Sequence, residues 1–305
     1  MTAVPEFPAS IPTGETSHRE LDRLLPPGEM ASDYQWLSLR TWNPEARLSV
    51  LDGALVVAFH GYHDLDERFF GFVGGNDVDR IAAVLLDTSE RRGWGPTLRL
   101  VPESVAARLG ATFEATEDRD NFDYVYRSAD VVDLEGSRHR MSRKHRNHFA
   151  ADHAGRWCAR STNATDADWS QMIALTERWA EGTPDLNAAL DEIKALRRCS
   201  EAVPLAHDKV DLMITSLEVD GRIVGFDITE IMRGTWALNH FRHAPHELVG
   251  SHVTLRHAVA ERLRSIGVSL WNAEQDLGVE GLRARKLRDR PDHFVRKFDV
   301  ALRVD

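Results

Sequence analysis

The sequence has few cysteines, no long apolar run and no excess of basic residues. Only Cys158 and Cys199 occur among its 305 residues, too few for a disulfide framework or a four-cysteine zinc site. The longest strictly apolar runs, Ala54–Phe59 and Ile81–Leu86, are far shorter than the roughly 20 residues of a membrane helix. No apolar leader with a cleavage site is recognisable at the start. These absences predict a cytoplasmic protein with no membrane span.

The overall composition is that of a folded globular protein. Hydrophobic residues make up 42% and charged residues 28% of the chain, which suits one or two domains with real cores and excludes disorder. The formal net charge is −10. A uniformly acidic protein is a poor candidate for coating DNA or an anionic membrane, because like charges repel.

The charge is unevenly distributed along the chain. Residues 136–150 contain five basic side chains and no acid, and residues 282–297 contain seven basic and two acidic ones. Each segment therefore carries +5, which leaves −20 for the remainder. Two basic segments in an acidic protein create local regions of positive electrostatic potential, which are able to bind a polyanion. The alternative interpretation is that each is a solvated helix face.

Hydrophobic patterning predicts the same order of elements in both halves of the chain. Each half has two strands joined by an Asp-Gly turn, a third strand, a glycine-containing loop, a helix and a final strand. In the first half the predicted strands are 47–51, 54–59, 69–72, 97–101 and 123–133, with a helix capped by Asp77. In the second half they are 212–219, 223–231, 235–241 and 268–271, preceded by helices at 167–181 and 186–198.

This repeated order predicts two similar domains after a loosely structured N-terminal arm at residues 1–28. The first domain covers residues 29–150, and the second, at residues 151–305, carries the catalytic site. The fold class is α+β (α/β), with mixed sheets flanked by helices. The acyl-CoA site of the GNAT acetyltransferase fold has this order of elements: a strand, a loop of small residues, a helix and a next strand that splays away from the first. There, amides at the helix N-terminus hold a pyrophosphate.

The segment from His246 to Ser251 only half fits the GNAT loop pattern. Gly250 fits, and both Gly250 and Ser251 are expected to bind substrate. Ser251 is also predicted to cap the following helix.

A row of polar residues follows the last predicted strand. Asn272, Glu274 and Asp276 recur at period two, so they share one face if the strand continues. Arg283 and Lys286 follow at helical spacing. Such a set is able to bind an ammonium group with its carboxylates and an anionic or carbonyl group with its cations. The alternative is a structural ion network at a strand–helix junction.

This segment resembles the C-terminal catalytic domain of phosphatidylglycerol lysyltransferases and its soluble relatives, the DUF2156 family. The family pattern is matched by Asn272, Glu274, Asp276, Leu277, Gly278, Gly281, Leu282, Arg283, Lys286 and Pro291. Further matches lie upstream, at Ser32-Asp33-Tyr34, Trp42, residues 119–126, Leu134-Glu135-Gly136, residues 144–149, and from Asp220-Gly221 through Phe226 and Glu230. The chain departs from the pattern at Ala273, where the family has arginine, and at Arg288-Asp289, where it has Ser-Tyr.

The resemblance implies tandem GNAT-like domains that bind aminoacyl-tRNA instead of acyl-CoA. The aminoacyl group would pass from the tRNA 3′ end to an amine, hydroxylamine or hydroxyl of a small-molecule or peptide acceptor, as in natural-product pathways. Aminoacyl-tRNA is then a co-substrate, and no cofactor is expected. Two alternatives stay open: a conventional acyl-CoA-dependent N-acyltransferase and a non-catalytic tRNA-binding module. The amino acid, the acceptor and the oligomeric state are not specified.

Roles for individual residues follow from the chemistry of an activated ester, which needs positioning, oxyanion stabilisation and one proton transfer. Glu274 or Asp276 would hold the donor ammonium or act as base, with Glu230 a second candidate base. Arg283 and Lys286 would stabilise the oxyanion or bind the terminal adenosine phosphate. Asn272 and His240 are expected to bind substrate. Phosphates of tRNA would contact Arg143, Lys144, Arg146 and Arg288.

The 14 histidines do not predict a metal site. His240, His243 and His246 recur at spacing three across a strand end and a loop. A catalytic zinc motif instead has two histidines at i and i+4 with a carboxylate. Met141, His145 and Phe149 are predicted to form the packed face of a helix whose basic residues point outward.

Overall fold

The chain forms two compact units in a computed structural model that describes residues 3–62, 66–163, 168–182, 186–205, 210–232, 234–245 and 247–303. Unit 1 runs to Tyr124 and also contains Gln275–Asp289 and the residues from His293. Unit 2 comprises Val125–Glu274 and Arg290–Asp292. The chain thus returns to unit 1 after Glu274, a discontinuity that the predicted continuous domains 29–150 and 151–305 do not contain.

Unit 1 combines two antiparallel sheets with short helices. One sheet has the order β1-β2-β3-β4 and the other β5-β14-β6. The strands are β1 (Ile11–Pro12), β2 (Arg47–Leu51), β3 (Ala54–His60), β4 (Arg68–Gly74), β5 (Leu98–Pro102), β6 (Phe113–Glu117), the start of β7 (Asp123–Arg127), β13 (His293–Val295) and β14 (Lys297–Leu302). The helices are α1 (His18–Leu24), α2 (Trp36–Trp42), α3 (Val78–Arg91), α4 (Glu103–Ala106) and α10 (Glu280–Arg288).

The predicted hairpin and helix of the first half are confirmed. Asp52 and Gly53 both have positive φ, 49° and 77°, as a two-residue turn between twisted strands requires. The Asp77 carboxylate accepts a hydrogen bond from the Arg80 amide at the start of α3. The apolar face of α3 then packs into the core of unit 1 with side chains from β3 and β4.

The N-terminal segment is more ordered than the predicted loose arm. Strand β1 pairs with β2, and the Ser17 side chain caps α1. Leu21 of α1 is fully buried, and the Trp36 indole donates to the Thr16 carbonyl. Burial of these few apolar groups compensates for the ordering of a segment whose composition alone indicates a loop.

Unit 2 is built on a mixed sheet with strand order β7-β12-β11-β10-β9-β8. The strands are the remainder of β7, β8 (Trp157–Asn163), β9 (Leu212–Val219), β10 (Arg222–Ile231), β11 (Trp236–His243) and β12 (Leu270–Asn272). The helices are α5 (Ser128–Asp133), α6 (Arg140–Asp152), α7 (Trp169–Glu181), α8 (Leu186–Leu205) and α9 (Ser251–Ser265). The predicted α+β class with mixed sheets and flanking helices is confirmed. No helix in the described part of the chain is long and apolar enough to span a bilayer.

One predicted strand ends earlier than expected, and the polar row does not continue another. The strand predicted at residues 123–133 ends at Arg127, and α5 follows because Val131 and Val132 bury their side chains at helical positions. The polar row after β12 does not continue the strand either. Glu274 has a left-handed φ of 56°, so Asn272, Glu274 and Asp276 do not share the face of one strand.

Candidate functional site

The first polar cluster lies where β11 and β12 of unit 2 stop pairing. These parallel strands pair from Trp236 opposite Leu270 to Leu238 opposite Asn272, where β12 ends. His240 lies two residues beyond this last pair. On the other side, the register between β10 and β11 skips His240, which is therefore an extra residue in a β-bulge. A bulge redirects a side chain, and here it brings His240 between two carboxylates.

The two ring nitrogens of His240 face Glu230 and Glu274. Nε2 lies 2.9 Å from Glu230 Oε2, and Nδ1 lies 3.4 Å from Glu274 Oε1. The side chains of His240 and Glu230 are 0% and 2% exposed, whereas that of Glu274 is 18% exposed. We call these three residues the His240 cluster. Glu274 is its solvent-accessible member.

His240 is charged at neutral pH. Burial alone would lower the pKa of the imidazole, but hydrogen bonding to Glu230 and Glu274, together with their negative charges, raises it to about 9. The cluster therefore places one imidazole between two carboxyl side chains, and Glu274 is the one that a ligand is able to reach.

Asn272 fixes the backbone that presents Glu274. Its side chain is fully buried, and Oδ1 accepts a hydrogen bond of 2.7 Å from the Glu274 amide. This short-range bond closes a turn at the end of β12. Asn272 therefore positions Glu274.

The second polar cluster lies in unit 1 and is centred on Asp276, which is fully buried. Its Oδ2 accepts from Tyr124 at 2.5 Å, Arg283 Nε at 3.0 Å and Arg119 at 3.3 Å. Oδ1 accepts from Arg283 Nη2 at 2.7 Å and from the Gly278 amide at 2.9 Å. A carboxylate has about four acceptor positions, so these five donors saturate it. We call Asp276 and its four partner residues, Arg119, Tyr124, Gly278 and Arg283, the Asp276 cluster.

The Asp276 carboxylate is held in its ionised form. Burial raises its pKa, but hydrogen bonds from Arg283, Tyr124 and the Gly278 amide, with the charge of Arg283, outweigh burial and lower it. Arg283 also donates a 2.5 Å bond to Asp120, and its own pKa is raised by its hydrogen bonds to Asp276 and Asp120. Asp276 therefore fixes the orientation of Arg283 at the start of α10.

The other basic residues of α10 differ in their contacts. Lys286 Nζ donates a 2.7 Å hydrogen bond to the Gln275 carbonyl and lies 5.5 Å from the centre of the Tyr124 ring. Arg288, the last residue of α10, is exposed.

Helix α6 occupies the first basic segment, with its basic residues unevenly exposed. Arg143 donates to the carbonyls of Leu134 and Gly136, so it fixes the chain before the helix. Lys144 is exposed and Arg146 is half-buried. The predicted packed face is only partly present, because Phe149 is fully buried whereas Met141 is 55% exposed. Met141 lies in the first turn of α6, outside the packed part of the helix.

The loop before α9 is packed tightly against α6. Gly250 has φ of 89°, and a Cβ built on it would lie 2.1 Å from the His145 carbonyl oxygen. Ser251 does not cap the helix, because Gly250 occupies the N-cap position and the Ser251 hydroxyl donates to the Pro245 carbonyl. His246 lies outside the described residues.

Sequence reasoning named the carboxylates but did not identify all their partners. The sequence points to Arg119 and Tyr124 only through the family match at residues 119–126, which does not indicate that they contact Asp276. Among the residues that the structure describes, no group of three or more His, Cys, Asp or Glu side chains is placed to hold a metal ion. Cys199 is fully buried, and burial together with the charge of Glu230 raises the pKa of its thiol.

Similar folds occur in several solved structures. A Bacteroides thetaiotaomicron protein described as conserved and of unknown function has 20% identity and a TM-score of 0.81, covering 97% of this chain and 99% of that one. The Bacillus licheniformis L-PGS structure has 14% identity and a TM-score of 0.60, covering 99% and 94%. A tandem GNAT protein from the clavulanic acid biosynthesis pathway has 14% identity and a TM-score of 0.52, covering 97% and 99%.

These likenesses show that the fold is tandem GNAT-like, the fold of acyltransferases. The family model described as phosphatidylglycerol lysyltransferase, C-terminal, matches residues 28–301. The chain belongs to this family. No curated protein sequence matches it.

Proposed function

We propose that the protein is an aminoacyltransferase that uses aminoacyl-tRNA as donor. It moves the aminoacyl group from the tRNA 3′ end to an amine, hydroxylamine or hydroxyl of a small-molecule or peptide acceptor, of the kind found in natural-product biosynthesis. The observation that carries the proposal is the His240 cluster, whose accessible member Glu274 follows the end of β12 in a GNAT-like fold. Membership of the lysyltransferase family supports the choice of donor.

Glu274 is assigned to the donor's α-ammonium group. Its side chain is the accessible member of the His240 cluster and lies 3.4 Å from the His240 ring. Carboxylate oxygens form strong, charge-assisted hydrogen bonds with ammonium groups. Glu230 and His240 position Glu274 from the buried side, and Asn272 does so through the backbone.

The reaction exchanges one acyl bond for another. The acceptor nitrogen or oxygen attacks the ester carbonyl, forms the new amide or ester bond and gives up a proton. The ester bond to the tRNA ribose breaks, and the ribose oxygen takes a proton. Because the donor is already activated, positioning and charge stabilisation supply most of the acceleration. Within unit 1, Arg283, oriented by Asp276, is the candidate for binding the terminal adenosine phosphate, with Lys286 as a second cation of the same helix.

The loop before α9 argues against acyl-CoA as the donor. In an acyl-CoA site this helix N-terminus holds the pyrophosphate through its amides. Here the His145 backbone is so close to Gly250 that even a Cβ would overlap it. Helix α6 thus fills space beside this N-terminus. The cations proposed to contact tRNA phosphates are Lys144 and Arg146 of α6 and Arg288 of α10. Arg143 is a fourth candidate, although its guanidinium group also donates to the Leu134 and Gly136 carbonyls.

The decisive experiment compares binding of aminoacyl-tRNA with binding of the same uncharged tRNA. We expect wild type to prefer the charged form and Glu274→Gln to lose that preference. Glu280→Gln, which removes an exposed carboxylate at the start of α10, is the matched control and should retain it. Equal binding of both tRNA forms by wild type would contradict the role of Glu274.

Turnover is tested with tRNA carrying labelled amino acids and a panel of amines, hydroxylamines and alcohols. Label should move to an acceptor, and prior RNase treatment should abolish transfer. RNase-insensitive transfer that depends on acyl-CoA would favour the conventional N-acyltransferase. Salt-sensitive tRNA binding with no product for any acceptor would favour the non-catalytic module.

A further inference from the structure

Unit 2 contains a cavity of about 610 Å³ that the proposed reaction does not use. One wall is a stripe of α7 formed by Gln171, Ala174, Leu175 and Arg178, at positions i, i+3, i+4 and i+7. The core face of the same helix is a different one, formed by Met172, Thr176 and Ala180. Helix α7 therefore has a second face with apolar side chains, and that face lines the cavity. The volume falls within the range of about 300–1,000 Å³ typical of small-molecule sites.

The facing wall comes from the start of β10, where the strand is irregular. Neighbouring strand residues normally point to opposite faces of a sheet, yet Ile223 and Val224 both line the cavity. A β-bulge accounts for this, because pairing passes from Ile223 opposite Glu218 to Gly225 opposite Leu217 and leaves Val224 without an opposite residue. Two adjacent apolar side chains are thereby directed into one space, which Pro245 and Leu248 complete.

Two guanidinium groups give the cavity its charge. Arg178 of α7 and Arg222 of β10 both line it, and both are exposed, so they lie on its solvent side. Within the described ranges, neither guanidinium group has a hydrogen bond or an ion pair. Guanidinium groups bind carboxylate or phosphate oxygens in a bidentate manner. Apolar walls with two arginines on the solvent side match a ligand that has an apolar body and one anionic head.

The cavity is distant from the His240 cluster along the sheet. Val224 and Glu230 are both on β10, six residues apart, which corresponds to about 20 Å at roughly 3.3 Å per residue. A ligand in the cavity therefore does not contact Glu230. We propose that this cavity is a second binding site, for a single-chain amphiphile with a carboxylate or phosphate head, separate from the His240 cluster.

The test is calorimetric titration of the full chain with decanoate and decyl phosphate below their micelle concentrations. We expect saturable one-site binding of both, and at least tenfold weaker binding of uncharged decanol and of inorganic phosphate alone. Decanol binding as tightly as decanoate would overturn the role of the arginines. Binding only to anionic vesicles, with none to the monomers, would overturn the proposal in favour of a membrane surface.

Variants locate the site. Arg178→Gln with Arg222→Gln should weaken decanoate binding at least tenfold, whereas Arg262→Gln, which removes an exposed charge on α9, should not. Ala174→Trp should fill the cavity and abolish binding, and the melting temperature of each variant shows that it is folded. Unchanged binding by a folded Ala174→Trp variant would overturn the assignment. Because no step involves tRNA, failure here leaves the proposed transferase function intact.

Discussion

The Asp276 cluster and the His240 cluster are electrostatic opposites. In unit 1 a buried anion is surrounded by two guanidinium groups and a phenol, and every acceptor position of the carboxylate is occupied. In unit 2 a buried cation lies between two carboxylates, one of which is accessible. The two carboxylates are only two residues apart in sequence, at Glu274 and Asp276. Their partners, and not their spacing, leave the Glu274 side chain accessible and hold that of Asp276 in place.

The difference shows how burial separates a binding carboxylate from an anchoring one. Asp276 is fully compensated by donors and has no lone pair left for a ligand. Glu274 keeps 18% of its side chain exposed. Removing one partner from a buried ion network lowers the stability of the protein strongly. Substituting an accessible group mainly affects the function of that group. The variants below break or sharpen this comparison.

The largest expected effect is on stability, from Asp276→Asn. Removing the negative charge leaves Arg283 and Arg119 without their shared partner, and we expect the free energy of unfolding to fall by about 4 kcal/mol. Chemical denaturation measures the change. Asp120→Asn is the control, because it removes the other partner of Arg283 at a 57% exposed position and should cost less than about 1 kcal/mol. Equal losses in the two variants would contradict the anchoring role.

The second effect is on catalysis, from Glu274→Gln. The substitution keeps the shape of the side chain and removes the charge proposed to hold the donor ammonium. We expect kcat/KM with aminoacyl-tRNA to fall about 100-fold, or about 2.7 kcal/mol, and the melting temperature to fall less than in Asp276→Asn, because Glu230 still contacts the His240 ring. If the melting temperature falls as far as in Asp276→Asn while the activity per folded molecule persists, the two clusters have the same role.

The third effect is a pH dependence of stability that the His240 cluster should produce and the Asp276 cluster should not. A histidine whose pKa is raised from 6.5 to about 9 on folding stabilises the protein fully below pH 6.5. That contribution, about 3 kcal/mol at most, is lost as the pH rises from 6.5 through 9. Denaturation across this range should show the decline in wild type and a flatter profile in His240→Gln. His148→Gln, at a 51% exposed histidine, is the control and should keep the wild-type profile.

The smallest effect is expected from Tyr124→Phe. The phenol donates one hydrogen bond to Asp276, which retains its four other donors. We expect a loss of about 1 kcal/mol in the free energy of unfolding. A loss as large as that of Asp276→Asn would mean that the hydroxyl, and not the two arginines, holds the carboxylate.

Local signals predicted the elements whose causes are local. The Asp52-Gly53 turn and the Asp77 cap both lie where the sequence places them, because turns and caps depend on neighbouring residues. Strands such as β6 and β14 were missed. They pair Phe113 with Leu302 and Glu117 with Phe298, so the evidence for each strand lies far away in the sequence. The same limit explains why β7 was extended into α5.

The sequence by itself determined the repeated order of strands and helices, the two basic segments and the motif residues around Asn272–Lys286. Only the tertiary structure decided their roles. A bulge at His240 brings one imidazole between Glu230 and Glu274, and a left-handed turn at Glu274 ends the predicted polar row. Both depend on contacts between residues ten or more positions apart or on backbone conformation. Spacing along the chain supplies candidate groups, and burial and partners decide which of them remain accessible to a substrate.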